Sequence, residues 1–428
     1  MLSRSRLLFG LTKQGSVTQY ALLKHAAAGR LTPALAFSTV SASQNEKKAF
    51  TRKRTEPAKT LRTGAAPDST ISLEQKRQTL METFSINPLS PFTSSGCTEK
   101  ALGKIYRMPD ESSDRLGRLG LPRYVERDWQ YMAEDAFLVR DVTLRLNEAL
   151  SNISREDPRN LLLVGEQGVG KSMALLQAVN MALTSNKIVL YFPATLEWIF
   201  SRHPFLPSPG DQGTFAQPTL TAAFLEKFLI LNPTSIEGLT LSKDHTISST
   251  SDSANYPDVS VKAGSSLREM INLGAHLDKA PYATATFEAL VEELVSQTAK
   301  DVLVAVDQVN GLYTPADYRD TEGRPLDPRR LRTLGAIRSL LDGERVMARG
   351  LILSAMTHLD ARYGKVGPKV PTLSVPPYTL QEAETLGEYY EKTGAFSPSG
   401  ITSQVRLAKY VATSGNPRRF FKACLALF

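Results

Sequence analysis

Short runs of apolar residues, separated by stretches with helical periodicity, give the first picture of the fold. The apolar runs are residues 161–164, 188–192, 302–306 and 350–354. Apolar residues recur at helical spacing in residues 171–183, 220–231, 287–300 and 331–341. Uniformly apolar short strands that alternate with helices are typical of a parallel sheet covered on both faces. The pattern therefore predicts an α/β fold in which helices sandwich a parallel sheet.

The segments on either side of this region predict further units. Helical spacing continues in residues 128–152, 379–393 and 404–428, and the last two predict a C-terminal helical lid over 378–428. Residues 71–84 predict a short helix, whereas residues 100–125 mix Gly, Pro and charges and predict an extended segment. Residues 234–266 are dominated by Ser, Thr, Asp and Gly and predict an exposed insertion. The core is therefore expected at 128–377, after a basic and largely extended arm at 46–127.

Positive charge is concentrated at the N-terminal end of the chain. The net charge is +8 over 428 residues, yet residues 1–65 hold twelve Lys and Arg against two Glu, which leaves −2 for the rest. Residues 1–45 contain no acid and place leucines among spaced basic residues, which is typical of a mitochondrial presequence. A disordered basic tail is the alternative. The basic run at 47–54 is either a solvated tail or an arm that contacts RNA phosphates.

The remaining composition excludes several classes of protein. No run of about 18 apolar residues is present, so no membrane span is expected. Cys97 and Cys424 lie far apart in the sequence, and the five histidines are isolated. Neither a disulfide framework nor a zinc site is therefore indicated.

A glycine-rich octet follows the first apolar run and opens the first helix of the core. It reads Gly165-Glu166-Gln167-Gly168-Val169-Gly170-Lys171-Ser172. Such a turn between a buried strand and a helix points backbone N–H groups at phosphate oxygens. In this pattern the lysine reaches the β- and γ-phosphates, and the serine hydroxyl ligates Mg²⁺. An ordinary tight turn is the alternative, but the strand before and the helix after favour a phosphate loop for GTP/GDP or ATP/ADP with Mg²⁺.

A second magnesium ligand is expected at the end of another buried strand. Asp307 follows the apolar run 302–306, and a carboxylate in this position holds Mg²⁺, through water. The next residue, Gln308, stands where ATPases of the additional-strand type carry a glutamate base. A carboxamide does not accept a proton at neutral pH, and general-base assistance is worth roughly 10²–10⁴ in rate. We therefore expect slow or absent hydrolysis, and no residue is assigned as catalytic.

Other polar residues are candidates for orienting water or sensing the γ-phosphate. Gln308, Asn310 and Ser354 form this set, and for Ser354 completion of a strand is the alternative. Residues 414–419, Ser-Gly-Asn-Pro-Arg-Arg, lie between two helices of the predicted lid. Their arginines would fold over the phosphates. The alternative is a capped helix start with proline at the first position and both arginines exposed.

In order and spacing, these motifs resemble those of the death-associated protein family, GTP-binding proteins of the mitochondrial small ribosomal subunit. The resemblance runs from about Leu102 to the C terminus. Besides the phosphate loop, it rests on Leu102-Gly103-Lys104-x-Tyr106, Leu121-Pro122, Trp198, Gln217-Pro218, Val304-Ala305-Val306-Asp307-x-x-Asn310 and Asn416-Pro417. The chain departs from the family in its longer Ser/Thr-rich insertion and in Arg418-Arg419.

The resemblance implies a structural subunit in the head of the small mitochondrial ribosomal particle, in the matrix. Such a subunit would contact small-subunit rRNA and neighbouring ribosomal proteins, and would bury a purine nucleotide in the phosphate loop. The family also lacks the usual glutamate after the strand-end aspartate, which agrees with Gln308. An active mitochondrial P-loop ATPase or GTPase of the signalling or chaperone type is the alternative. Gln308, together with the absence of an arginine-finger motif, favours the structural interpretation.

Overall fold

The computed structural model describes residues 72–83, 85–153, 159–208, 213–251, 255–357, 367–393 and 402–425. The predicted presequence and the basic residues up to 71 lie outside this part of the chain. The helices are α1 Leu73–Thr83, α2 Asp110–Leu119, α3 Arg123–Trp129, α4 Asp141–Ser151, α5 Lys171–Thr184, α6 Leu196–Ile199, α7 Pro218–Leu231, α8 Leu267–Asn272, α9 Ala280–Ser296, α10 Arg332–Leu341, α11 Leu380–Lys392, α12 Ser403–Thr413 and α13 Pro417–Leu425. The strands are β1 Ile105–Arg107, β2 Ala136–Leu138, β3 Arg159–Val164, β4 Ile188–Phe192, β5 Leu206–Pro207, β6 Phe215–Ala216, β7 His245–Ile247, β8 Val259–Val261, β9 Val302–Asp307, β10 Gly350–Ala355 and β11 Thr372–Ser374.

The central sheet of the described chain has the strand order β11-β3-β10-β9-β4, and every neighbouring pair is parallel. The apolar runs of the sequence became β3, β4, β9 and β10, and β4 has the predicted bounds. The edge strand β11 reads Thr-Leu-Ser and gives no apolar signal of its own. The structure therefore confirms an α/β fold with a central parallel sheet flanked by helices.

Alternate residues of each strand enter two different apolar layers. On β9, Leu303 and Ala305 pack with α4, α5 and the C-terminal helices, whereas Val304 and Val306 pack with α7, α9 and α10. This alternation follows from the pleat of a strand, whose successive side chains point to opposite faces. Burying an aliphatic side chain of this size stabilises the fold by about 1.5–3 kcal/mol, so both layers hold the sheet in place.

Two sequence predictions near the N-terminal end are wrong. Residues 100–125 are not simply extended, because α2 forms there and buries Leu116 and Leu119 at helical spacing among exposed charges. Residues 128–152 are not one helix, because Phe137 and its neighbours form β2, which pairs antiparallel with β1. The apolar positions of β2 fit a helical template by chance, and a partner strand some thirty residues earlier decides its conformation. The predicted short helix at 71–84 is present as α1.

The predicted exposed insertion, 234–266, is also wrong for its apolar residues. Ile236, Leu241 and Ile247 are buried in the layer that contains α7 and α9. Strands β7 and β8 form an antiparallel pair within this segment, and the buried His245 ring contacts Glu293 of α9 at 2.6 Å. A few buried apolar residues are enough to hold this segment against α7 and α9. Its composition, dominated by hydroxyl-bearing residues, did not predict this packing.

Candidate nucleotide-binding site

The turn between β3 and α5 depends on three glycines with positive φ. The φ angles of Gly165, Gly168 and Gly170 are 149°, 86° and 101°, a region that residues with a Cβ atom rarely adopt. Space is equally limited, because a Cβ atom on Gly165 would lie 2.5 Å from the carbonyl oxygen of Val375. A Cβ on Gly168 would lie 2.8 Å from Oδ1 of Asn416. Gly165 and Gly168 are therefore required both by the backbone conformation and by close neighbours, and Gly170 by its backbone conformation alone.

Successive carbonyl groups of this loop are hydrogen-bonded on its outer side. The carbonyl of Gln167 accepts a hydrogen bond from Nδ2 of Asn416 at 2.8 Å. The carbonyl of Gly168 accepts one from the backbone N–H of Arg418 at 3.1 Å, and that of Val169 accepts one from Arg140 at 3.3 Å. The C=O and N–H of a trans peptide point in opposite directions. The N–H groups of residues 168–170 consequently face away from these partners.

Lys171 begins α5 and is only 7% exposed. Its ammonium group donates hydrogen bonds to the carbonyls of Gly165 at 2.8 Å and Glu166 at 2.7 Å. Burial lowers the pKa of Lys171, and the nearby Asp307 carboxylate opposes that shift. The cation is thus held over the loop, on internal acceptors that a phosphate oxygen would replace.

Asp307 ends β9 and is 2% exposed. Its carboxylate accepts hydrogen bonds from the hydroxyl of Ser172 and from the backbone N–H of Gln308, the latter at 2.8 Å. Burial raises the pKa of Asp307 to about 6, although these hydrogen bonds and Lys171 act in the opposite direction. The structure therefore brings together Lys171, Ser172 and Asp307, which sequence analysis assigned to phosphates and Mg²⁺. Two hard oxygen donors side by side suit Mg²⁺.

Gln308 follows in the left-handed conformation, with φ of 58°. The Thr195 hydroxyl lies 3.0 Å from the carbonyl oxygen of Asp307 and 2.6 Å from that of Gln308, and so supports this turn. Gln308 lines the cavity, and its Oε1 is buried without a hydrogen-bond partner in the described chain. A positive φ at a residue other than glycine marks local strain that the surroundings maintain. Gln308 thus combines a left-handed backbone with a buried amide oxygen that has no hydrogen-bond partner in the described chain.

Asn310 and Ser354 do not line the cavity, which corrects the sensor roles predicted for them. Asn310 is fully buried and exchanges hydrogen bonds of 2.9 Å with the backbone of Thr357 in both directions. The Ser354 hydroxyl lies 3.3 Å from the carbonyl of Leu161. On the neighbouring strand, Ser354 pairs with Val306, whose side chain lies in the α7–α9 layer. Ser354 therefore faces that layer, whereas Asp307, the next residue after Val306, faces the other side of the sheet. Thr357, which Asn310 positions, does line the cavity.

A cavity of about 660 Å³ opens beside the phosphate loop. This volume is within the usual range of small-molecule sites. Its lining includes the polar residues Lys171, Ser172, Asp307 and Gln308. It also includes aromatic residues from α3 and the C-terminal region, namely Tyr124, Tyr378, Tyr390 and Phe421. A lining with both charged and aromatic side chains matches a ligand with a charged group and a planar ring.

Sequence analysis missed Arg140, which is 8% exposed. Besides Val169, its guanidinium donates to the carbonyls of Pro376 and Pro377, each at 2.9 Å, and pairs with Glu382 of α11 at 3.1 Å. The side chain therefore connects the start of α4 to both the phosphate loop and the lid. No local pattern marks such a residue, since its partners are up to 242 positions away.

The C-terminal motif 414–419 places its two arginines differently. Helix α13 begins at Pro417, and Arg419 is exposed, as expected for a capped helix start. Arg418 instead lines the cavity, with its guanidinium carbon 3.5 Å from the centre of the Tyr124 ring. The start of α13 thus closes one wall of the site.

Two further properties concern only the described residues. No cluster of three or more His, Cys, Asp or Glu side chains there is arranged to hold a metal ion. None of the helices described is both long enough and apolar enough to span a bilayer.

The sequence of the chain is similar to those of known proteins. The family model described as mitochondrial ribosomal death-associated protein 3 matches residues 137–365, more than half of the chain. The chain belongs to this family. The matched region contains the phosphate loop, Asp307 and Gln308, and the family resemblance seen in the motifs is confirmed. The predicted mitochondrial localisation, in the matrix, is confirmed with it.

Relatives extend the similarity beyond the matched region. The small ribosomal subunit protein mS29 of Schizosaccharomyces pombe is 23% identical over 401 residues, covering 84% of this chain and 79% of its own length. The mS29 protein of Mus musculus is 23% identical over 351 residues, covering 77% of this chain and 86% of its own length. Similarity thus extends over most of each protein.

Proposed function

We propose that the chain is a structural protein of the mitochondrial small ribosomal subunit that holds a purine nucleotide with Mg²⁺ in its phosphate loop. Hydrolysis is slow or absent. One observation supports the nucleotide site most strongly. The Ser172 hydroxyl hydrogen-bonds to the Asp307 carboxylate, beside the buried ammonium of Lys171. These groups come from two separate strand ends and have the chemistry that an Mg²⁺–nucleotide requires.

The strand order supports assignment to the additional-strand class of P-loop NTPases. Strand β3 leads into the glycine loop and β9 ends in Asp307, and β10 lies between them. An inserted strand at this position defines that class. Since all strands are parallel, the loop and Asp307 meet at the same edge of the sheet, where ligands of open α/β sheets bind.

Magnesium fits the residues present. Ser172 and Asp307 offer adjacent oxygen donors, and Lys171 lies on carbonyls that phosphate oxygens would replace. When bound, the ion neutralises phosphate charge. The chain itself positions the nucleotide through the loop N–H groups and Lys171, while α13 and Arg140 fix the loop from behind. The aromatic residues of the cavity lining would then receive the base.

Low turnover follows from Gln308. This residue lines the cavity, and its amide would orient a water, as glutamine does in small GTPases, but it cannot accept the water's proton. A nucleotide that remains bound stabilises the folded state by mass action, about 2.7 kcal/mol at a hundredfold excess over the dissociation constant. The nucleotide then acts as an internal ligand that holds loop, sheet and lid together.

Membership of the ribosome is supported by the family and by the printed names of the relatives, which are small ribosomal subunit proteins. Small-subunit rRNA and neighbouring ribosomal proteins are the proposed partners. A tagged copy from lysed mitochondria should sediment with the small ribosomal particle at moderate salt. Sedimentation as a free protein under those conditions would contradict the ribosomal assignment.

The rate of nucleotide hydrolysis is measured with purified protein. We expect hydrolysis barely above background, and Gln308→Glu should increase the rate if water reaches the γ-phosphate. Rapid hydrolysis by the unmodified protein, abolished by Gln308→Ala, would instead favour an active NTPase.

A further inference from the structure

Helix α3 with the residues that follow it, up to Tyr131, contacts α13 through side chains beside the cavity, and the surface around these contacts is here called the α3–α13 face. Its basic and aromatic members are Arg123, Tyr124, Arg127, Tyr131, Arg418, Arg419 and Lys422. The Arg418 guanidinium stacks on Tyr124 at 3.5 Å, and the rings of Tyr131 and Phe421 meet at 6.3 Å between centres. These contacts tie the two helices together.

The face is strongly basic within a body that is not. It carries five Arg and Lys against Glu126 and Asp128, whereas residues 66–428 together have a net charge of −2. Asp128 is already paired with Arg127 at 2.8 Å. Arg123, Arg419 and Lys422 are exposed. Arg123 and Arg419 form no ion pair with a carboxylate among the described residues, whereas Lys422 lies within electrostatic range of Asp128. Cations that side chains of the protein do not neutralise attract a polyanion.

An exposed aromatic ring lies within the same basic surface. Tyr131 is 48% exposed, so part of its ring is open to a partner. Basic side chains around an exposed aromatic ring provide both phosphate contacts and a platform for an unpaired base. A protein partner with an acidic surface would also satisfy the charges, and Tyr and Arg are common at protein interfaces, but the proposed ribosomal function favours RNA.

We propose that the α3–α13 face binds RNA, with Arg123, Arg419 and Lys422 on backbone phosphates and Tyr131 stacked on an unpaired base. This inference rests on the proposed ribosomal function and assigns the surface that meets the RNA. Because Arg418 and Tyr124 belong to both the face and the cavity wall, the RNA surface is complete only when α13 is docked on the phosphate loop.

The test measures binding of the full chain to a fluorescein-labelled RNA hairpin with a single-stranded loop, across a range of salt concentrations. Arg419→Glu with Lys422→Glu should reduce the steepness of the log–log salt dependence by about 0.7–0.9 for each phosphate that the variant no longer neutralises. Tyr131→Ala should weaken binding about tenfold because the base loses its stacking partner, and Tyr131→Phe should retain binding. The basic N-terminal residues are common to all variants and cancel in the comparison.

The matched control reverses two lysines that do not line the cavity. Lys300 precedes β9 and so lies near the amino end of a parallel strand, opposite the site, and Lys262 follows β8, which packs with α7 and α9. Lys262→Glu with Lys300→Glu makes the same change in net charge and should leave the salt dependence almost unchanged. Equal effects of the two double variants, or no effect of either, would overturn the proposal.

Nucleotide content is measured on the same preparations. Arg419 and Lys422 do not line the cavity, so their variants should retain nucleotide. Absence of nucleotide from the unmodified protein would refute the phosphate-loop proposal and leave the RNA result standing. Normal nucleotide and normal sedimentation with the small subunit, combined with unaltered RNA binding by the face variants, would refute only the RNA surface.

Discussion

The side-chain amide of Asn416 donates a hydrogen bond of 2.8 Å to the backbone carbonyl of Gln167, joining the start of the last helix to the phosphate loop. The two residues are 249 positions apart in the sequence. The Asn416 side chain also accepts a hydrogen bond from the backbone N–H of Arg419, so one amide caps α13 and holds the loop. The shape of the phosphate site therefore depends on the docking of the C-terminal helix.

Asn416→Ala should weaken both elements at once. The Gln167 carbonyl and the first turn of α13 lose a buried partner, which costs about 1–3 kcal/mol of unfolding free energy. We expect a lower melting temperature and reduced nucleotide retention, measured by thermal denaturation and by nucleotide extraction. The control is Gln404→Ala on the exposed side of α12, which should change neither quantity. Full nucleotide retention by Asn416→Ala would show that the hydrogen bond does not shape the site.

Gly168→Ala tests the same junction from the loop side. The substitution forces a Cβ atom toward Asn416 and onto a backbone with φ of 86°, a strain of order 1–3 kcal/mol. Stability and nucleotide affinity should both fall. Gly117→Ala in α2 meets open space and has an ordinary helical backbone, so it should be neutral or slightly stabilising. Equal behaviour of the two alanine variants would argue against a tightly constrained loop.

The two buried cysteines report on α13 docking. Burial raises the pKa of both Cys97 and Cys424 to about 11, so few thiolates are present at pH 8 and alkylation should be slow. Cys424 lies on α13, whereas Cys97 lies near α4. Removing nucleotide and Mg²⁺ should accelerate alkylation of Cys424 more than that of Cys97, as quantified by mass spectrometry. Parallel acceleration of both would indicate general loosening of the fold.

The nucleotide-free protein should show a pH dependence that comes from Asp307. Burial raises its pKa from an ordinary 3.8 to about 6, so the folded state binds this proton more tightly than the unfolded state. The group therefore favours folding at low pH, and this contribution is lost as pH rises from about 4 to about 6. Above pH 6, Asp307→Asn should increase the free energy of unfolding by at most about 3 kcal/mol and raise the melting temperature accordingly. Near pH 4 it should give no gain. A stability difference that does not change with pH would contradict this assignment.

Sequence patterns predicted the parts of the fold that local physics determines. The buried strands are uniformly apolar, so β4 could be located from its residues alone. The loop 165–172 could be located in the same way, because its glycines mark positions with positive φ. Strand β2 could not, because its conformation depends on pairing between Leu138 and Ile105. Arg140 gave no signal, since its role comes from distant carbonyls. The position of Ser354 could have been predicted. Aligning β9 with β10 pairs Ser354 with Val306, so its side chain lies on the face of the sheet opposite to that of Asp307.

Nucleotide extraction from purified protein, with detection by mass spectrometry, tests the central claim most directly. We expect close to one purine nucleotide per unmodified chain, largely absent from Lys171→Ala, because the phosphates then lack a charge-assisted hydrogen bond worth roughly 1.5–3 kcal/mol. Lys300→Ala, which removes a lysine far from the loop, should retain the full amount. An unmodified protein without nucleotide, or a Lys171→Ala variant with normal content, would contradict a phosphate loop that holds nucleotide as a structural ligand.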